Sequence, residues 1–199
     1  MNKRAETGIG TLIIFIAMLI VASITANVLI QTATSLQSKA LLTGEQTKEA
    51  ISTYAQVMAI TASDGRDNTL EDFTYQIKLA PGSSDMRLDS ALLEFSLSDT
   101  SVDLVYFDGD CEYNQTHGYY TNETAKNGTF TLDYVKTVSN HKDGYLLSGE
   151  IVELCFRAPV SVGEDEDIEI RFVPRVGIPV STEFRSPNVI TRTYERLFP

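Results

Sequence analysis

Apolar positions along this chain follow two different periods. From Ile9 to Ile30 almost every residue is apolar or small, and no charged residue occurs between Thr7 and Ser38. A run apolar on all sides predicts a helix that meets only lipid or other helices. Roughly 22 residues at 1.5 Å each extend about 33 Å, enough to cross the hydrocarbon core of a bilayer. The helical period then continues. Ile51, Tyr54, Ala55 and Met58 fall at i, i+3, i+4 and i+7, one face of a helix. Glu45 and Lys48 are spaced to pair on the other side. The first 80 residues hold no proline, and the first strong stop is "SDGRDN" at 63–68, with Gly65. The pattern predicts one helix over 6–62, with Gly44 as a place for a bend or short break.

From residue 69 the period becomes two. "FTYQIKL" turns Phe73, Tyr75, Ile77 and Leu79 to one side. "LLEFSL" does so with Leu93, Phe95 and Leu97, and "FTLDYVKTV" with Phe130, Leu132 and Tyr134. "VELCFRA" offers Val152, Leu154 and Phe156, and "IEIRFV" offers Ile168, Ile170 and Phe172. These are half-buried strands. "APGSSD", "DGD", "KDG" and "VGEDED" supply turns between them. Seven or eight such strands predict a β-sandwich. The fold class is therefore α+β: a long N-terminal hydrophobic helix over 6–62, then an antiparallel sandwich over 63–199.

Charge separates the same two parts. Residues 1–62 carry four basic residues and three acidic ones; residues 63–199 carry 12 basic and 24 acidic ones. A solvated part with that balance repels phosphates, so nucleic acid is not an expected partner. The two cysteines, Cys111 and Cys155, both lie in the acidic part. An even count on an exported domain favours one disulfide over two buried thiols.

Three Asn-x-Ser/Thr sequons, at Asn114, Asn122 and Asn127, crowd into one polar stretch, "CEYNQTHGYYTNETAKNGT". Their clustering points to N-linked glycans on an exposed loop. Catalytic chemistry finds no support. His117 and His141 stand in polar contexts, and no zinc spacing, phosphate loop or nucleophile elbow is present. Asp108 and Asp110, in "FDGDCE", and the acidic turn "EDED" could attract a cation. Neither matches the calcium-loop spacing, so a solvated acidic turn is the favoured reading. No cofactor is expected.

Lys3 and Arg4 precede the apolar run as in an export signal, but the run is too long for a signal peptide and no small-residue cleavage site closes it. Two readings stay open on physical grounds. One is an anchor that remains in the membrane. The other is a segment that waits in the membrane and then packs against copies of itself, helped by the small residues Gly8, Gly10, Ala17, Ala22 and Ala26.

The letters of this segment add a resemblance. "GIGTLIIFIAM", the stretch ending in "VLIQTA", and "LQSKA" followed by "TGEQT" closely resemble the N-terminus of archaellins, the subunits of the archaeal swimming filament. "RFVPRVGIPVSTEFRSPNVIT" is similar to the family's ending. The resemblance implies an immunoglobulin-like outer domain, commonly N-glycosylated. It implies a basic leader, residues 1–5, removed by a prepilin-type membrane peptidase between Ala5 and Glu6. The family usually has glycine before the cut, and Ala5 stands there; cleavage after Arg4 is the competing position. It also implies a filament core built from Ile13, Phe15, Ile16, Leu19, Ile20, Val21, Ile24, Val28 and Leu29.

Three functions follow as expectations. The first is a structural, non-enzymatic subunit that polymerises with itself, alone or with paralogous subunits, into an extracellular swimming filament, helices inside and β-domains outside. Its precursor would sit in the cytoplasmic membrane. The second is an archaeal adhesive pilin; against it, Gly10 occupies the fifth mature position, where bacterial-type pilins carry glutamate. The third is a membrane-anchored ectodomain that binds a ligand.

Overall fold

A computed structural model of the chain describes residues 3–63, 68–98, 100–109, 111, 113–114, 119–120, 128–192 and 194–199. The chain divides into two units, Met1–Thr47 and Lys48–Pro199.

One helix, α1 (Lys3–Ser52), makes up the described part of the first unit and continues past Gly44 without a break. It ends at Ser52 rather than at residue 62, which corrects the predicted boundary. The Thr53 N–H still closes a last turn on the Glu49 carbonyl at 3.1 Å. The backbone then becomes extended because two loops take its carbonyls. Ile178 N–H donates to Thr53 O and Ala80 N–H to Tyr54 O, each at 2.9 Å. The Ser83 hydroxyl accepts from Tyr54 N–H at 3.1 Å. Gly177, at φ +127°, makes the first of these possible: a Cβ there would stand 2.8 Å from Thr53 O. Glycine alone suits both that conformation and that approach.

Residues predicted as a helical face, Ala55 and Met58 among them, lie instead in strand β1 (Ala55–Ala62). A bulge between Val57 and Ala59 shifts the pairing register. The extra residue breaks the period-two alternation and leaves apolar positions at mixed spacings, so the strand reads like a helix.

The second unit is built from β1, β2 (Leu70–Leu79), β3 (Met86–Arg87), β4 (Leu92–Leu97), β5 (Thr100–Tyr106), β6 (Tyr113–Asn114) and β7 (Tyr119–Tyr120). After them come β8 (Thr129–Lys136), β9 (Tyr145–Leu146), β10 (Ile151–Val162), β11 (Asp167–Val173), β12 (Val180–Arg185) and β13 (Glu195–Phe198). Nine of these form one sheet in the order β12-β11-β4-β5-β8-β10-β2-β1-β13; β3–β9 and β6–β7 are separate two-stranded ladders. Every pair in the large sheet is antiparallel except β5–β8, where Val105 and Tyr106 run parallel to Thr129 and Phe130.

The sheet folds over on itself. Four strand steps separate β4 from β2, which in a flat sheet would be about 19 Å. Yet Phe95 on β4 has its ring centroid 5.5 Å from Phe73 on β2 and 5.9 Å from Phe156 on β10. Two layers therefore face each other across one core, as the alternating pattern predicts. Phe73, Tyr75, Ile77, Leu93, Phe95, Phe130, Val152, Leu154, Ile168, Ile170 and Phe172 are all buried in it. The strands β5, β12 and β13 carry weaker alternation and are not among the predicted segments.

Candidate functional site

Helix α1 carries the first candidate site. Thr7–Ser52 contains a window apolar enough to cross a membrane, and none of that window is buried within the chain. The nine residues expected in a filament core, Ile13 to Leu29, are 48–63% exposed. Successive residues turn by 100°, so these nine point in all directions around the axis. Around the axis this apolar stretch therefore has no continuous polar side, and none of it is buried within the chain. Its threonines hide their polarity. Thr11 donates its hydroxyl to Gly8 O at 3.0 Å, Thr25 to Val21 O at 2.8 Å, and Thr32 to Val28 O at 2.8 Å. Each hydroxyl is satisfied by its own backbone, as apolar surroundings require. Lys3, Arg4, Ala5 and Glu6 are helical in backbone; their side chains lie outside the described ones.

The second candidate site is the outward face of β8, β10 and β2. On β10, Val152, Leu154 and Phe156 point to the core, so Cys155 points away from it. Cys155 pairs with Thr131 on β8 and with Thr74 on β2. All three are buried, although they face outward, and the segment after β5 lies across Thr131 and Cys155. A Cβ on Gly109 would be 3.6 Å from Thr131 Cγ2, and Cys111 Sγ is 3.7 Å from Thr131 Oγ1. Cys111 and Cys155 are joined in a disulfide with Cα atoms 5.8 Å apart. The bridge pins the start of the sequon segment to the sheet. Asn114 is in the short ladder β6–β7, opposite Tyr119; Asn122, Asn127 and Asp110 lie outside the described residues. Asp108 accepts from the Tyr106 hydroxyl at 3.2 Å. Burial first, then the charge on Asp108, pushes that hydroxyl up to about 12. Among the described residues no group of three or more His, Cys, Asp or Glu side chains is placed to hold a metal.

A third arrangement was not visible in the sequence. Glu150 is fully buried and accepts from Val138 N–H at 3.2 Å and Leu147 N–H at 3.1 Å. His141 Nδ1 stands 2.9 Å from the same carboxylate, and its Nε2 stands 3.0 Å from Asp143. With a carboxylate on each nitrogen, both must carry a proton for both bonds to form. The hydrogen bond that His141 donates to Glu150 chiefly, with a smaller one to Asp143, raises the His141 pKa above its ordinary value. This anchor ties down the connection between β8 and β10. Its only sequence signal is one glutamate between a glycine and an apolar run.

Elsewhere the acidic surface is organised by arginines. Arg171 bridges Glu94 and Glu169, and Arg185 bridges Asp165 and Asp167. The Arg185 guanidinium holds the Asp167 carboxyl below its usual range, and hydrogen bonds from Ser181 and then Arg171 do the same for Glu169.

The family model described as archaeal-type flagellin matches residues 5–184. The chain belongs to that family. This archaeal-type flagellin is 35% identical to flagellin B1 of Thermoplasma volcanium over 153 residues, covering 72% of this chain and 62% of that one. It thus spans less than two thirds of that relative. It is 31% identical to flagellin B3 of Methanocaldococcus jannaschii over 205 residues, covering 96% and 94%. Its fold matches a chain of the archaeal flagellum of Methanospirillum hungatei with a TM-score of 0.69, at 10% identity, over 96% of this chain and 99% of that one. The long helix followed by a largely antiparallel domain is the fold of that structure.

Proposed function

We propose that this flagellin is a structural subunit of an archaeal swimming filament and performs no catalysis. Helices of many copies pack together as the core, and the sheet domains make the outer surface. The observation that carries the reading is a helix exposed and apolar on every side, on a chain whose other unit has its own core. Water cannot satisfy such a helix; lipid or other helices can. A helical polymer needs only one set of contacts repeated without closure. Lipid serves the precursor in the cytoplasmic membrane, and identical helices serve the finished filament outside the cell.

In this reading a prepilin-type peptidase removes residues 1–5, so that Glu6 becomes the N-terminus. Lys3 and Arg4 would otherwise bring two charges to the core, where burial is costly. The family match begins at Ala5, beside the proposed cut. Asn114, Asn122 and Asn127 carry N-linked glycans that face solvent, since a glycan cannot pack between subunits.

The test is to shear appendages from cells, image them, and weigh the chains they contain. Fibres built of this chain, starting at Glu6 and heavier at sequon peptides, are expected. A chain that stays with the bilayer and is absent from sheared fibres would favour the membrane-anchored ectodomain instead.

A further inference from the structure

Helix α1 is apolar between Ile9 and Ile30, but one carboxamide, Asn27, interrupts this run and a second, Gln31, follows it. Asn27 and Gln31 are one turn apart, and Gln31 Nε2 donates to Asn27 Oδ1 at 3.4 Å. They are not placed at random. Ile20, Ile24, Asn27, Gln31, Thr34 and Ser38 succeed each other at spacings of four and three, which put them along one seam of the helix. The seam is apolar toward the N-terminus and polar toward the C-terminus.

The polar members of this seam are not equivalent. Thr34 turns its hydroxyl to Ile30 O and Gln31 O, both at 3.0 Å, and Ser38 donates to Ser35 O at 3.0 Å. A hydroxyl has one proton, and the helix backbone accepts it. A carboxamide has two N–H donors and an oxygen with two lone pairs. The Gln31–Asn27 bond uses one donor and one lone pair. Among the described residues neither side chain makes a second hydrogen bond, so the remaining donors and acceptors are left for a neighbour.

We propose that Asn27 and Gln31 hydrogen-bond to the same two residues of neighbouring copies and so fix the stagger between helices. The proposal rests on the filament reading above. A second copy of this chain is the occupant that the chemistry selects. A carboxamide is self-complementary, since its donors fit another carboxamide's oxygen, whereas lipid tails offer neither donor nor acceptor. Uniformly apolar seams slide at little cost, because one row of Ile or Leu meets the next equally well. A polar pair at one level of a buried seam admits only the stagger that brings amide to amide, and it sets register at some cost in stability. In the membrane the intrahelical bond between the two amides lowers the cost of waiting without a partner.

The experiment compares filaments of the full-length chain, unaltered, with Asn27→Leu/Gln31→Leu, with Asn27→Gln, and with Val28→Leu as a packing control. Helical rise and twist are measured by electron cryo-microscopy. One set of helical parameters is expected for the unaltered chain, for Asn27→Gln, which keeps the amide, and for Val28→Leu. The double leucine chain is expected to give several sets of rise and twist, or no ordered polymer at all while Val28→Leu still assembles. Double leucine filaments with the same single rise and twist as the unaltered chain would overturn the amide lock and leave the filament reading standing. Absence of any polymer from the unaltered chain would overturn the filament reading and the lock with it.

Discussion

The helix and the sheet domain solve the same problem in opposite ways. Both are rich in Ile and Leu. The domain places those residues on alternate positions, so two layers cover each other and Phe73, Phe95 and Phe156 meet inside one chain. The helix places them on every side, and nothing in its own chain covers Ile16 or Val21. Alternation makes a unit that is finished when it folds. Continuous apolarity makes a unit that is finished only when others arrive. The difference lies in the period of the pattern, not in the amount of hydrophobic surface.

The sharpest way to break the comparison is a charge in the helix. Ile16→Asp or Val21→Lys is expected to abolish filaments while the sheet domain stays folded with its disulfide formed. An unpaired charge in a packed core costs several kcal/mol in every subunit, and the cost recurs along the polymer. Imaging of cells, with a non-reducing gel for the disulfide, reads both outcomes. Normal filaments from either variant would refute a helical core.

Truncation sharpens where one solution ends and the other begins. A chain starting at residue 63 would lack β1, and β2 and β13 would lose the strand between them. Ala55, Ile60 and Ala62 would leave the core with it. A chain starting at Lys48 keeps β1 and is expected to give a soluble, monomeric, cooperative domain. The shorter chain is expected to lose more than any single core truncation, which costs about 3–5 kcal/mol. Urea melts of the two fragments make the comparison, and equal midpoints would show that β1 belongs functionally to the helix.

The disulfide should matter less. Replacing Cys111 and Cys155 by serine opens a closed loop of 44 residues' separation and is expected to cost about 2–4 kcal/mol. The loss should fall on the domain alone, lowering its melting temperature without changing helix-driven assembly in the cold. Free thiols at both positions in filaments that were never reduced would remove the bridge from the account.

The smallest effect is a pH dependence. His141 has its pKa raised in the folded state by Glu150 and Asp143. Its contribution is therefore fully present below the unfolded value of about 6.5 and is lost as pH rises through the higher folded value. Above that value one ring nitrogen loses its proton. The bond to Asp143, which is almost wholly exposed, is the one to go. Protection of the Val138–Leu147 amides in the full chain, taken relative to the intrinsic exchange rate at each pH, should fall on the alkaline side. His141→Gln should flatten the change. Tyr134, whose ring stacks edge-on against the imidazole, has its own pKa raised, chiefly by burial, and so does not titrate in this window.

Much of this was legible in the residues, and the failures are physical. Phe73, Leu93, Phe130, Leu154 and Ile170 announce their strands because each alternates with polar neighbours over several positions. Ile9 to Ile30 announces itself by having no polar side. β1 has the pattern of a helix because its bulge breaks the alternation at Met58, and because nothing in "EAISTYAQ" punctuates the turn from helix to strand. That turn is imposed from far along the chain, by Ala80, Ser83, Gly177 and Ile178. The Glu150 anchor was invisible for the same reason: its partners include His141 and Val138, which only the folded connection brings to it. Asn27 and Gln31 were in plain view, but an amide in an apolar run gains meaning only once the neighbouring hydroxyls are seen to be satisfied by their own helix.

The junction at Thr53 and Tyr54 has a mechanical consequence. A pull on the chain as it leaves the last helical turn meets other bonds before it reaches β1. It arrives at two carbonyls held from separate loops, through Ile178 N–H and Ala80 N–H, and at a backbone N–H held by Ser83. These three bonds are met before the antiparallel ladders of β1 with β2 and β13. Gly177→Ala would crowd the first of those carbonyls and leave the pull to the other two bonds. The joint is built to transmit strain into the body of the sheet before any single strand must yield.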